Sequence, residues 1–232
     1  MLTFLNPPVA AAYHILMPII GFLNPLFGST TLLVTIITFT CLIRLCLHPL
    51  AMAAVRGEHS RQALAPQVAE LKKKHKKNPQ HLQQELNKLY QESGTTMFTG
   101  CLPLLIQIPF FTVLYRLFTA PTIDAHPNNL LRGSLLGIPA NQHLFTTPIA
   151  PATLLLFTTL LALLAAVTTL SIHHQPTQPG AKLLRLLPYG TVLFATILPA
   201  AGALYLLTTT TWTTLERIAL RRRTATATQP PS

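Results

Sequence analysis

Long uncharged apolar stretches alternate with polar connections along this chain. Five of the stretches are close to the ~20 residues that a helix needs to cross a hydrocarbon core of ~30 Å. They predict spans at residues 29–50, 97–118 and 151–172, and two more within 183–220 that are separated by a short outer turn at 199–202. The pattern predicts an all-α membrane protein with five transmembrane helices.

The first 28 residues are apolar but contain four prolines and no lysine or arginine. A secretory signal peptide would begin with basic residues, so the sequence argues against a signal peptide here. A sixth span would break the charge alternation of the loops. We therefore predict that residues 1–28 form an interfacial N-terminal segment, with a short helix over Val9–Phe22 on the outer surface.

The longest polar region, residues 51–96, contains two sets of apolar residues at helical spacing. In each set three apolar residues fall at i, i+4 and i+7, namely Leu64, Val68 and Leu71, then Leu82, Leu86 and Leu89. Asn78-Pro79 lies between them and favours a break. The region is predicted to be a cytoplasmic antiparallel helical hairpin. It is either a solvated connector or a docking arm for anionic lipid, ribosomal RNA or a nascent chain.

Lysine and arginine are distributed unequally between alternate connections, which predicts orientation. The segment before the first span has none, the hairpin has eight, and the loop at 119–150 has only Arg132. The loop at 173–182 ends in Lys182 and is followed by Arg185. The tail at 221–232 begins with Arg221, Arg222 and Arg223, shortly after Arg217. The chain is thus predicted to be multi-pass, with its N-terminus outside and its C-terminus in the cytoplasm.

Composition excludes several other functions. Only 10% of the residues are charged, and the net charge of +11 is concentrated in a few connections rather than in a nucleic-acid motif, so no specific nucleic-acid sequence is expected as a partner. The three cysteines form no pair typical of a disulfide or zinc site. No catalytic motif occurs, so we expect no enzyme activity, no catalytic residue, no cofactor and no metal.

One arginine, Arg44, lies within the first predicted span. An arginine at the centre of a membrane helix costs roughly 2.5–3.5 kcal/mol on insertion scales. None of the six acidic residues lies at mid-span, so a water-filled pocket is one explanation and snorkelling to the inner headgroups is another. Gln107 and the threonines of the last span, including Thr208 and Thr211, are candidates to line such a pocket, although membrane threonines commonly bond to their own backbone.

Five blocks of sequence, in order, resemble the YidC-type membrane protein insertases, a family related to the insertases of mitochondria and thylakoids. They are IRLCLHPL, the hairpin PQVAELKKKHKKNPQHLQQELNKLYQESG, GCLPLLIQIPFFTVLYRLF, LLGIPANQHLF and LPAAGALYLLTTTTWTTLERIALRRR. The resemblance covers about Pro25 to Arg223. The chain looks like a short Gram-positive or actinobacterial form, without a long extracytoplasmic domain.

The resemblance implies a bacterial plasma-membrane protein with five helices around a hydrophilic groove that is open to the cytoplasm and to lipid. Arg44 and Gln107 match groove residues, and nascent membrane proteins are the implied partners, with the ribosome, the Sec translocon and anionic lipid at the hairpin as further ones. Leu206 stands where many members have tryptophan, and the short tail lacks the basic extension of ribosome-docking members.

A competing hypothesis is a small anion or solute transporter in which Arg44 is the binding charge. Transporters usually contain inverted repeats, and none is evident in this sequence. A passive assembly scaffold is a third reading, under which Arg44 would be replaceable without loss.

Overall fold

The computed structural model describes residues 6–76, 78–93, 112–146, 148, 150–174 and 186–227, most of which are helical. The helices of these segments are α1 (Asn6–Phe27), α2 (Thr31–Cys46), α3 (His48–Lys74), α4 (Pro79–Glu92), α5 (residues 112–119), α6 (Pro151–His173), α7 (Gly190–Ala195) and α8 (Ala200–Ala227). Short 3₁₀ turns occupy Gly28–Thr30, Asn129–Arg132 and Leu187–Tyr189.

Two small antiparallel sheets interrupt the all-helical pattern between α5 and α6. Strands β1 (Thr122–Ile123) and β2 (His126–Pro127) form one hairpin, and β3 (Ser134–Leu135) and β4 (Ile138–Pro139) form the other. Two-residue strands carry too short a pattern to be recognised in a sequence, so the predicted loop at 119–150 is more ordered than we expected.

The chain divides into two compact units. The first comprises Met1–Cys46 with Pro109–Glu216, and the second comprises Leu47–Ile108 with Arg217–Ser232. In the first unit, α1 packs against α2, and the first hairpin strand contacts α1. The core of this unit includes side chains from α2, α6, α8 and the loop before α6, for example Ile36, Phe157, Leu135 and Leu204.

Asn128 organises the loop between α5 and α6. Its side-chain amide donates to the backbone oxygens of Leu117 and Ala120 at 2.6 and 2.9 Å, and its carbonyl accepts from the amide of Leu130 at 3.0 Å. Asn128 is 5% exposed. Because buried polar groups are costly unless they are paired, these three bonds hold the loop closed over the end of α5.

The beginning of α8 is capped by the same loop. The first amides of a helix have no partner within the helix. Here the Ala200 amide donates to the Gln142 oxygen at 2.8 Å and the Ala201 amide to the Ala140 oxygen at 3.0 Å. The predicted turn at 199–202 therefore lies too late in the chain, since the helix already begins at Ala200 and Gly202 is inside it.

Other predicted boundaries differ by varying amounts. α6 covers the predicted span at 151–172 almost residue for residue. α2, by contrast, has 16 residues and ends at Cys46, while α1 has 22 and extends beyond the predicted Val9–Phe22 at both ends. Within the predicted second span, only residues 112–118 are described, and these are helical.

In the second unit, α3 and α4 are in contact. α4 begins at Pro79, as its sequence predicts, and the Asn78 side chain caps it by accepting from the His81 amide at 3.2 Å. Leu86 is buried, and the other five apolar residues of the two i, i+4, i+7 sets are half-buried. The rings of His75 and His81 meet edge to face at 4.6 Å next to this connection.

Two helical stretches within the described segments are long and apolar enough to cross a membrane, Asn6–Cys46 and Pro151–His173. α6 has one buried stripe, which includes Phe157, Leu160 and Leu164, and it leaves large apolar side chains such as Leu155 exposed. Exposed leucines on a helix that buries only one stripe are typical of a lipid-facing surface. The full set of five spans stays a prediction.

Candidate functional site

Arg44 continues the buried stripe of α2. Leu32, Ile36 and Thr40 follow one another at helical i, i+4 spacing and are at most 6% exposed. Arg44 is the next residue of that series and is half-buried. Because side chains four residues apart lie on one face of a helix, the sequence that buries α2 also directs the arginine toward the interior of its unit.

The partner of Arg44 on the last helix is Thr209. The Nε–H of Arg44 donates to the Thr209 Oγ1 at 2.8 Å, and its Nη2–H donates to the same oxygen. Thr209 is 4% exposed and continues an i, i+4 series through the buried Ala201 and Tyr205. Two N–H groups of one guanidinium thus hold one buried hydroxyl and connect α2 to α8.

The sequence indicated the threonine run but singled out Thr208 and Thr211 rather than Thr209. The hydroxyl of Thr208 donates to the Leu204 oxygen at 2.9 Å, and that of Thr211 donates to the Leu207 oxygen at 2.7 Å. Both bonds are the i−4 backbone contacts expected of membrane threonines. The i, i+4 series of Ala201, Tyr205 and Thr209 on one helix face was the sequence signal that could have identified Thr209.

Two further polar side-chain atoms are buried, one on α8 and one on α6. The indole nitrogen of Trp212 on α8 and the hydroxyl of Thr168 on α6 have no hydrogen-bond partner among the described residues. Trp212 lies three residues after Thr209, so the two side chains project from neighbouring parts of the same helix face. A buried unsatisfied donor is costly in a dry interior, which favours the presence of water or another acceptor.

Gln107 and Leu206 were also named from the sequence, and the structure describes only one of them. Gln107 lies outside the described residues. Leu206 is 5% exposed and belongs to the core of the first unit. It therefore fills apolar space within that core.

The second unit contains a separate charged cleft between α3 and α4. Its volume is about 300 Å³, and its walls combine two leucines with acidic, basic and amide side chains: Gln67, Glu70, Leu71, Lys74, Glu85, Lys88, Leu89 and Glu92. Lys88 Nζ lies 3.4 Å from Glu85 Oε1, and the lysine is largely exposed. An exposed pair of this kind adds little stability.

The fold and these residues define the protein as a helical membrane protein with a charged residue on a buried helix face. Comparison with known families matches residues 22–227 to the family described as the 60Kd inner membrane protein. The chain belongs to this family, that of the YidC membrane protein insertases.

Several curated relatives carry the name "Membrane protein insertase YidC". The protein of Prosthecochloris aestuarii is 30% identical over 84% of this chain and 34% of its own length. That of Clostridium perfringens is 45% identical over 38% of this chain and 37% of its own length, and that of Streptomyces avermitilis is 33% identical over 50% and 27%.

This chain thus spans only 37%, 34% and 27% of the lengths of the Clostridium, Prosthecochloris and Streptomyces relatives, respectively. Their names describe insertases rather than solute transporters, so the comparisons support the insertase hypothesis and give no support to the transporter alternative. The family is one of insertases rather than of catalytic enzymes.

Proposed function

We propose that this protein receives nascent membrane proteins in a hydrophilic groove that faces the cytoplasm and then releases their helices into the bilayer. Arg44, Thr209, Gln107, Thr208 and Thr211 are the proposed groove residues. The family supports the activity, and the charge pattern of the loops supports an orientation with the N-terminus outside. Ribosome, Sec translocon and anionic lipid at α3 and α4 are proposed partners.

The contact between Arg44 and Thr209 is the observation that carries this proposal. It keeps a permanent positive charge on a buried helix face, since a guanidinium does not deprotonate in proteins. Partial desolvation strengthens the attraction of that charge for an acidic group, because the effective dielectric constant is lower than in water. The buried indole N–H of Trp212 supports a polar environment on the same helix.

Transfer then needs no continuous pore. The polar tail of a substrate enters the groove, where Arg44 lowers the cost of its acidic groups. The substrate's apolar helix moves along the spans into lipid, driven by burial of its apolar surface. An outside-positive membrane potential contributes about 2.3 kcal/mol per acidic charge per 100 mV.

Insertion of two matched single-span substrates tests this role of Arg44. One substrate has an acidic tail, and the other has the same tail with its carboxylates replaced by amides. In proteoliposomes, Arg44→Ala should lower insertion of the acidic substrate by about tenfold or more, since hydrogen bonds to charged groups contribute roughly 1.5–3 kcal/mol. The amide substrate should be less affected.

Arg44→Lys is the matched control, because it keeps the charge and loses the planar fork of N–H donors. It should retain more insertion of the acidic substrate than the Arg44→Ala protein does. Full insertion of the acidic substrate by the Arg44→Ala protein would contradict the proposed role of the charge.

A further inference from the structure

The two β-hairpins between α5 and α6 end in the same kind of turn but with different side chains. Each has two turn residues with positive φ: Asp124 (50°) and Ala125 (61°) in one, Leu136 (53°) and Gly137 (85°) in the other. Such turns favour asparagine, aspartate or glycine at these positions. Leu136 is thus an unusual choice, because the left-handed conformation is strained for a large side chain.

Leu136 is also exposed. Its side chain is 61% exposed, whereas the neighbouring Leu135 and Ile138 are almost completely buried. In water this residue would combine backbone strain with a hydrated apolar surface. Backbone strain at a surface position is a reason to look for a function, and an apolar surrounding would remove the second of these two costs.

The other turn is suited to water. The carboxylate of Asp124 is 57% exposed and lies 3.4 Å from the imidazole of His14. Ala125, the second residue of this turn, exposes no large apolar group. We call Asp124 and Ala125 the polar turn, and Leu136 and Gly137 the leucine turn. The polar turn serves as an internal comparison for the leucine turn.

Close packing holds the leucine turn beside the end of α1. Strand β3 contacts both α2 and the turn Gly28–Thr30 that follows α1. At Gly133 an added Cβ would lie 2.7 Å from the Cδ2 of Leu32, so any other residue here would require the buried Leu32 side chain to shift. The position of the leucine turn relative to α2 is consequently fixed by packing.

The end of α1 presents further large apolar side chains. Phe22, Leu26 and Phe27 are 74%, 68% and 44% exposed. α1 and α2 together form one of the two stretches that are apolar enough to cross a membrane. Arg132, the single lysine or arginine within residues 119–150, is exposed just before β3 and can reach lipid phosphate.

We propose that the leucine turn, together with Phe22, Leu26 and Phe27, inserts into the boundary between headgroups and acyl chains of the bilayer surface beside it. Apolar side chains on interfacial elements bury to about 5–10 Å in this zone. The turn thereby anchors the loop that caps α8 through Ala140 and Gln142. This proposal requires a membrane location and is independent of insertase activity.

Tryptophan quenching by brominated lipid tests the proposal. Trp212 is the only tryptophan, so Trp212→Phe gives a background in which single tryptophans are introduced. Leu136→Trp reports on the leucine turn, and Ala125→Trp, also at positive φ, is its matched control. In phosphatidylcholine vesicles brominated near the headgroup end of the acyl chain, the Leu136→Trp protein should be quenched several-fold more strongly than the Ala125→Trp protein.

Iodide in the aqueous phase should give the opposite order. Phe27→Trp places a reporter on the same surface without any left-handed backbone, so it remains usable if the turn variants fail to fold, and it should also be quenched by the brominated lipid. Equal quenching of the two turn variants, or iodide access to Phe27→Trp equal to that of free tryptophan in buffer, would overturn the proposal.

Discussion

Positive charge is used differently in the two units of the molecule. In the first unit Arg44 lies on a buried helix face and holds the Thr209 hydroxyl. In the second unit Lys72, Lys73 and Lys74 lie exposed in the last turn of α3, where they also complement the helix dipole. The effect of a charge depends on its surroundings, so one half-buried arginine can matter more than three solvated lysines.

Charge reversal at one position of each unit should give the largest contrast. Arg44→Glu replaces the attraction for an acidic substrate tail with repulsion and places a carboxylate on the buried face of α2. Insertion of the acidic substrate in proteoliposomes should fall by about a hundredfold, from roughly 3 kcal/mol of lost interaction. Lys72→Glu should lower it by less than about fivefold, as expected for an exposed charge. Similar losses in both variants would remove the distinction between the units.

Removal of the Thr209 hydroxyl should have an intermediate effect. Thr209→Val keeps the branched shape but deprives two N–H groups of Arg44 of their acceptor, at a cost of roughly 1–3 kcal/mol. We expect about tenfold lower insertion of the acidic substrate. Thr209→Ser, which retains the hydroxyl, should stay near the parent protein. If valine and serine behaved alike, the hydrogen bond would have no role in positioning Arg44.

Neutralisation of the exposed lysines should have a smaller, salt-dependent effect. The triple change of Lys72, Lys73 and Lys74 to Gln should lower insertion into vesicles with anionic lipid by less than about fivefold at low ionic strength. The difference should disappear at ~0.5 M salt, because the Debye length falls below ~5 Å. Vesicles of neutral lipid are the control. A loss that persisted at high salt would mean that these lysines act through a direct, desolvated contact.

The smallest effect on insertion is expected from the cap of α4. Asn78→Ala removes the acceptor of the His81 amide and should destabilise the helix by about 1 kcal/mol. Hydrogen exchange of the first amides of α4 should become about fivefold faster, while insertion stays unchanged. Asn78→Asp, another good capping residue, is the control. Unchanged exchange in the alanine variant would show that Pro79 and packing alone define the start of this helix.

Much of the helical pattern could be predicted from the sequence because apolar length and proline positions act locally. α6 lies within a residue of its predicted span, and α4 begins at Pro79 as predicted. The start of α8 was placed too late, because it depends on carbonyls of Ala140 and Gln142, some sixty residues earlier in the chain. Such long-range caps leave no local signal in the sequence.

One residue of the candidate site was also predictable from a local pattern. An arginine in an apolar helix is conspicuous, so Arg44 was identified from its surroundings alone. Its partner could not be chosen among neighbouring threonines by composition, since Thr208, Thr209 and Thr211 are chemically identical. Only the helix face distinguishes Thr209 from the other two. The hydroxyl of Thr209 accepts from Arg44, whereas those of Thr208 and Thr211 donate to their own backbone.

Photo-crosslinking to a stalled nascent membrane protein tests most directly whether substrate occupies the region around Arg44. A photoreactive residue at Thr213, which lies four residues after Thr209 on the same face of α8, should crosslink to the acidic tail of the substrate. This product should be lost in the Arg44→Ala protein. The same residue at Leu155, which is 71% exposed on α6, should not crosslink to the tail. Equal crosslinking of the tail from both positions, or crosslinking at Thr213 that is unaffected by Arg44→Ala, would contradict the proposed function.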